Sequence, residues 1–77
     1  MAKLPRLSGK EVVEVFKRDG WVVDRIEGSH HILVKPGHDA TLSIPVHGKK
    51  EVKLGLLKRL IKDARLTNKR FTELSQK

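Results

Sequence analysis

Apolar positions along this chain change spacing from segment to segment. Val12, Val15 and Phe16 recur at i, i+3 and i+4, the spacing of one helix face. The run is introduced by Leu7-Ser8-Gly9-Lys10-Glu11. There Ser8 can cap, Glu11 three residues on completes a capping box, and Leu7 and Val12 stand where a hydrophobic staple needs them. Gly20 fits a left-handed stop, so the pattern predicts a first helix over roughly 9–19. Three strand-like stretches follow. Trp21–Glu27 is rich in β-branched and aromatic residues, His30–Lys35 less so, and Ala40–Val46 alternates Leu42, Ile44 and Val46 with Thr41 and Ser43. Gly28-Ser29 and Pro36-Gly37-His38-Asp39 make the links short, which implies an antiparallel meander. Pro45 cannot donate to a ladder and belongs at an edge or at the end of its strand. Val52, Leu56, Leu57, Leu60, Ile61 and Ala64 then form the clearest helical stripe, with Lys58, Arg59 and Lys62 on the opposite face. Thr67 can cap a short last helix in which Phe71 and Leu74 face inward.

The predicted order is therefore α-β-β-β-α with a small additional C-terminal helix. An α+β fold follows, with both long helices on one face of a three-stranded antiparallel sheet. Its core is expected from Val12, Val15, Phe16, Leu42, Ile44, Leu57, Leu60 and Ile61.

Length and composition narrow the function classes. Seventy-seven residues make one small domain, expected to span 1–77, which buries only ~60% of the surface its unfolded chain exposes. The absence of Cys excludes disulfides and Cys-based zinc sites. No apolar run exceeds three residues, against the ~20 a membrane-spanning helix needs, and Met1–Lys10 has no apolar signal region. A cytoplasmic protein with no membrane partner is expected. The net charge of +8 is unevenly spread: residues 47–77 hold ten Lys/Arg against Glu51, Asp63 and Glu73, while residues 1–46 are nearly neutral. Such asymmetry points to a polyanionic partner.

The four histidines are the candidates for acid–base work near neutral pH. His30 and His31 open the second strand just after Gly28-Ser29, and their side chains point to opposite faces of the sheet. A metal site would have to recruit His38 and His47 as well. Adjacent strand histidines cannot aim at one ion, so no metal and no cofactor are expected. The second candidate is Pro45-Val46-His47-Gly48-Lys49-Lys50-Glu51-Val52-Lys53, expected to leave the sheet, turn at Gly48 and run into the second helix. Lys49, Lys50 and Lys53 there can hold phosphate near a helix start, His47 lies in the same loop, and Lys58 and Lys62 extend the patch along the helix.

These residues together resemble the HicA (YcfA-like) toxins, small mRNA interferases of bacterial toxin–antitoxin pairs. Gly28-Ser29-His30-His31 enters one strand, Pro45-Val46-His47-Gly48 leaves another, and a Lys-rich segment leads to a helix ending Ala64-Arg65-Leu66-Thr67. Leu4-Pro5-Arg6-Leu7-Ser8-Gly9 and Gly20-Trp21 match as well, so the likeness runs from about Leu4 to Leu74. It implies a double-stranded-RNA-binding-domain-like fold, RNA cleavage that blocks translation without a metal, and neutralisation by a HicB antitoxin. The family's catalytic His in the Gly-Ser-His element carries over to His30, supported by Gly28 and Ser29; members that read Gly-Ser-Asn-His would favour His31. Two departures stand out. Leu54-Gly55 replaces the usual Pro-Gly opening of the second helix, and Arg65 stands where Gly is common before Leu66. A left-handed non-Gly residue there is strained by ~1 kcal/mol.

Two other functions compete with the RNA-cleaving toxin. One is a non-catalytic RNA-binding module, whose best support is Lys49-Lys50-Glu51-Val52-Lys53. The other is an adaptor whose basic face binds an acidic protein.

Overall fold

The computed structural model describes residues 4–76. Its elements run α1 (Gly9–Arg18), β1 (Val22–Glu27), β2 (His30–Val34), β3 (Leu42–Pro45), α2 (Leu54–Asp63) and α3 (Asn68–Ser75). Residues 1–3 and 77 of the expected 1–77 domain lie outside the described residues. The order and class are those the sequence predicts, and the three strands form one antiparallel sheet in the order β1-β2-β3.

The ends of the helices are fixed chemically. Ser8 caps α1: its side chain accepts from the Glu11 N–H, and the Glu11 carboxylate accepts from the Ser8 N–H. That backbone bond, with the Ser8 hydroxyl, holds the Glu11 carboxyl below its ordinary 4.5. At the other end Gly20 takes φ +100, while Trp21 N–H donates to the Phe16 carbonyl and Gly20 N–H to that of Lys17. This is a Schellman stop, closed by an edge-on Phe16–Trp21 contact. α2 ends the same way. Leu66 N–H donates to the Ile61 carbonyl and Arg65 N–H to that of Lys62, which puts Arg65 itself at φ +60.

Leu33, Leu42 and Ile44 point to the helix-covered face of the sheet and are buried with Val12, Val15, Phe16, Leu57, Leu60 and Ile61. Trp21, Phe71 and Leu74 complete the core, with the Phe16 and Phe71 rings in tilted contact at 5.3 Å. The opposite face carries Arg25, His30 and Ser43, all exposed. Ile32 is buried between Arg25 and Ser43 on that face, outside the main core. β1 contains a bulge between Val23 and Arg25, so Val23 and Ile26 fall on the same face three residues apart.

One expectation needs correction. Val52 belongs to the apolar stripe of the second helix in the sequence, yet α2 starts only at Leu54. Residues 51–52 instead run antiparallel to the entry of α1. Glu51 bridges Ser8, and Val52 N–H donates to the Leu7 carbonyl at 2.9 Å. Val52 is buried because this short pairing pins it beside the core, not through helical periodicity. The lysine loop therefore does not run straight into α2.

Candidate functional site

The turn after β1 and the exit of β3 lie at one end of the sheet, because His30 pairs with Pro45. Gly28 at φ +60 lets the chain reverse in two residues. The Ser29 carbonyl then accepts from Val46 N–H at 2.7 Å, tying the turn to the strand exit. His47 is brought beside the turn as a consequence. Its Nε2 lies 3.4 Å from Ser29 Oγ, and its ring stands nearly perpendicular to that of His30, with centroids 6.5 Å apart. Both rings are exposed. Ser29, expected to support His30, makes its side-chain contact with His47.

Gly48, at φ +57, turns the chain again, and Lys50 N–H donates to the His47 carbonyl at 3.0 Å. Lys49 and Lys50 are exposed on this turn. His47, Lys50 and Lys53 line a common depression of about 210 Å³ with Pro45, Glu51, Val52 and Leu56. Lys53 is the N-cap of α2 and its side chain makes no capping bond. Lys53 also borders a second depression, which it shares with Lys58, Arg6, Glu51, Leu54 and Asn68, and Lys62 is exposed near the end of α2. The structure thus brings together Gly28, Ser29, His30, His47, Lys50 and Lys53, with Lys49 in the same turn. Lys58 adjoins them through Lys53, and Lys62 lies further along α2.

The other two histidines have separate surroundings. His31 points to the helix side, half-buried, next to Lys10, Val13, Glu14 and Lys17 of α1 and Val23 and Ile26 of β1. Its Nδ1 is buried without a hydrogen-bond partner. His38 lies at the opposite end of the sheet, its ring tilted against that of Trp21 with centroids 4.8 Å apart. Its Nδ1 accepts from Ala40 N–H at 3.1 Å, and its Nε2 is buried without a hydrogen-bond partner. Among the described residues no three His, Cys, Asp or Glu side chains gather as metal ligands. No described helix is long and apolar enough to cross a membrane.

One part of the site was not visible in the sequence. His30 opens onto a cleft of about 380 Å³ between β3 and α2, lined also by Thr41, Ser43, Pro45, Leu56, Arg59, Leu60 and Asp63. In the sequence Arg59 is only one more charge on a polar helix face. The i, i+4 spacing of Arg59 and Asp63 puts them on one side of α2, but only the seat of α2 against β3 aims that side at His30.

The model of the family described as "HicA toxin of bacterial toxin-antitoxin" matches residues 9–66 of the 77-residue chain. The match spans α1, the whole sheet, both histidine-bearing turns and α2. No curated protein matches the chain.

Proposed function

The chain belongs to the HicA toxin family of bacterial toxin–antitoxin systems, and on that premise we propose that it is an mRNA interferase using His30 for proton transfer. RNA carries its own nucleophile. The 2′-oxygen attacks the adjacent phosphorus, the bond from phosphorus to the 5′-oxygen breaks, and a 2′,3′-cyclic phosphate and a 5′-hydroxyl result. One proton must leave the 2′-hydroxyl and one must reach the departing 5′-oxygen, so no metal is required. His30 takes the first proton. His47 supplies the second, and Lys50 and Lys53 stabilise charge on the phosphate oxygens.

The observation that carries this reading is the pair of exposed imidazoles, 6.5 Å apart between centroids, at a turn bordered by lysines. A phosphate seated beside the pair, on its open side, can offer one oxygen to each ring. His31 lies on the helix side, half-buried and with its Nδ1 buried, away from His47 and the lysine turn. The reading also assigns the cytoplasm as the place of action and an acidic HicB-like antitoxin as the partner that covers His30. A salt-sensitive toxin–antitoxin association is expected from the +8 charge.

The test is cleavage of a defined RNA with chelator present, beside circular dichroism and RNA affinity of each variant. His30→Ala should keep fold and binding and lose about 10²–10⁴-fold in cleavage rate, together with growth arrest on expression. Normal cleavage by His30→Ala and loss in His31→Ala would move the reaction to the other face of the strand. If both variants cleave like the parent, the imidazole mechanism fails. Binding without any cleavage by the parent would leave the non-catalytic RNA-binding module, which the exposed lysine turn favours.

A further inference from the structure

We infer that the cleft between β3 and α2 is a nucleobase subsite, which selects the base on the 5′ side of the cut. The inference rests on the endonuclease reading for the position of the phosphate, and on the cleft itself for everything else. A base needs an apolar surface for its ring and polar groups for its edge. Pro45, Leu56 and Leu60 supply the first, while Thr41, Ser43, Arg59 and Asp63 supply the second. The volume, about 380 Å³, lies at the small end of ligand pockets, appropriate to a single ring system rather than a folded ligand.

The polar groups are free to bind. Thr41, Ser43, Arg59 and Asp63 are exposed, and among the described residues neither Arg59 nor Asp63 forms an ion pair. Arg59 donates only and ionised Asp63 accepts only, so together they suit a base edge presenting an acceptor beside a donor. Hydroxyls of Thr41 and Ser43 can do either. His30 also lines the cleft. A nucleotide whose 2′-hydroxyl meets the His30 ring therefore has its own base within reach of α2. The lysine-lined depression beside His47 is a separate hollow, suited to backbone phosphate. Phosphate holding and base reading are thus divided between two adjacent parts of the surface.

The test uses the full-length chain, ¹⁵N-labelled and titrated with the four ribonucleoside 3′-monophosphates and with inorganic phosphate, alongside cut-site mapping on a mixed-sequence RNA. The nucleotides, and not phosphate alone, should shift the amides of Thr41, Ser43, Arg59 and Asp63. One base should bind about 5–150-fold more tightly than the weakest, the range expected for a well-formed side-chain–base pairing. Arg59→Ala and Asp63→Asn should level the four affinities and spread the cut sites over other bases. Nucleotides that shift only what phosphate shifts, or four equal affinities in the parent, would overturn the subsite. RNA cleavage accompanied by a silent cleft would refute the subsite alone. Base discrimination at these residues without cleavage would uphold it and refute the endonuclease reading.

Discussion

Gly9 is the position where a single methyl group should do most harm. It is the first residue of α1, and a Cβ built there would lie 2.0 Å from the Pro45 carbonyl oxygen, 2.9 Å from Val46 Cα and 3.0 Å from the Pro45 carbonyl carbon. All three obstacles are backbone, so no rotamer change relieves them. The backbone they belong to is also held: Pro45 has a fixed φ and pairs with His30, and Val46 N–H is bonded to Ser29. Ala would favour the helix by up to about 1 kcal/mol. Against this, relieving the clash requires α1 or the exit of β3 to move by more than 1 Å, and overpacking of this kind costs roughly 1–3 kcal/mol or more. Net destabilisation of about 1–2 kcal/mol is expected, which for a domain of this size lowers Tm by about 4–16 °C. Gly55, in the first turn of α2, is the control, since a Cβ there meets nothing within 4 Å. Gly55→Ala should leave Tm unchanged or raise it by a few degrees. Thermal denaturation followed by circular dichroism compares the two directly. Because the displaced segment carries His47, Gly9→Ala should also slow RNA cleavage at temperatures where the fold persists. Equal Tm values for the two variants would refute the claim that α1 seats against the β3 exit through the absence of a side chain.

Two further perturbations probe other parts of the molecule. Arg65→Gly should raise stability by about 1 kcal/mol, since the residue sits at φ +60 in the stop of α2; a lower Tm would mean that the arginine side chain contributes more than the strain removes. Replacing Lys49, Lys50 and Lys53 together by Ala should weaken RNA binding at every sequence and reduce the salt slope by about 2 for single-stranded RNA, at ~0.7 for each phosphate no longer neutralised; an unchanged slope would remove the lysine turn from the interface.

Most of the fold was legible because the signals were local. Ser8 with Glu11, Gly20 after α1 and Thr67 before α3 each fix a helix end through bonds spanning a few residues, and each does so in the structure. Where a feature depended on partners distant in sequence, the pattern was silent or misleading. The apolar pair Val23 and Ile26 is out of phase for a strand, and only the bulge opposite β2 reconciles it with one face. Val52 fits the stripe of α2 by spacing, but the Leu7 carbonyl claims its N–H and holds it outside the helix.

The histidines show the same division at the level of chemistry. Strand alternation alone requires His30 and His31 to part, one to each face. Which of them reaches the exposed face is decided by register. His31 pairs with Ile44, a core residue, and so must face the helices; His30 pairs with Pro45 and so must face away. A slip of one residue that kept Ile44 in the core would bring His30 to the helix side in place of His31, so it is the present register that couples the burial of Ile44 to the exposure of His30. His47 joins the site through the same register, since the Val46–Ser29 bond continues the β2–β3 ladder by one step. No spacing rule links residues 29, 30 and 47. Their meeting is a consequence of the sheet, and the core that fixes the sheet is thereby what positions the two imidazoles.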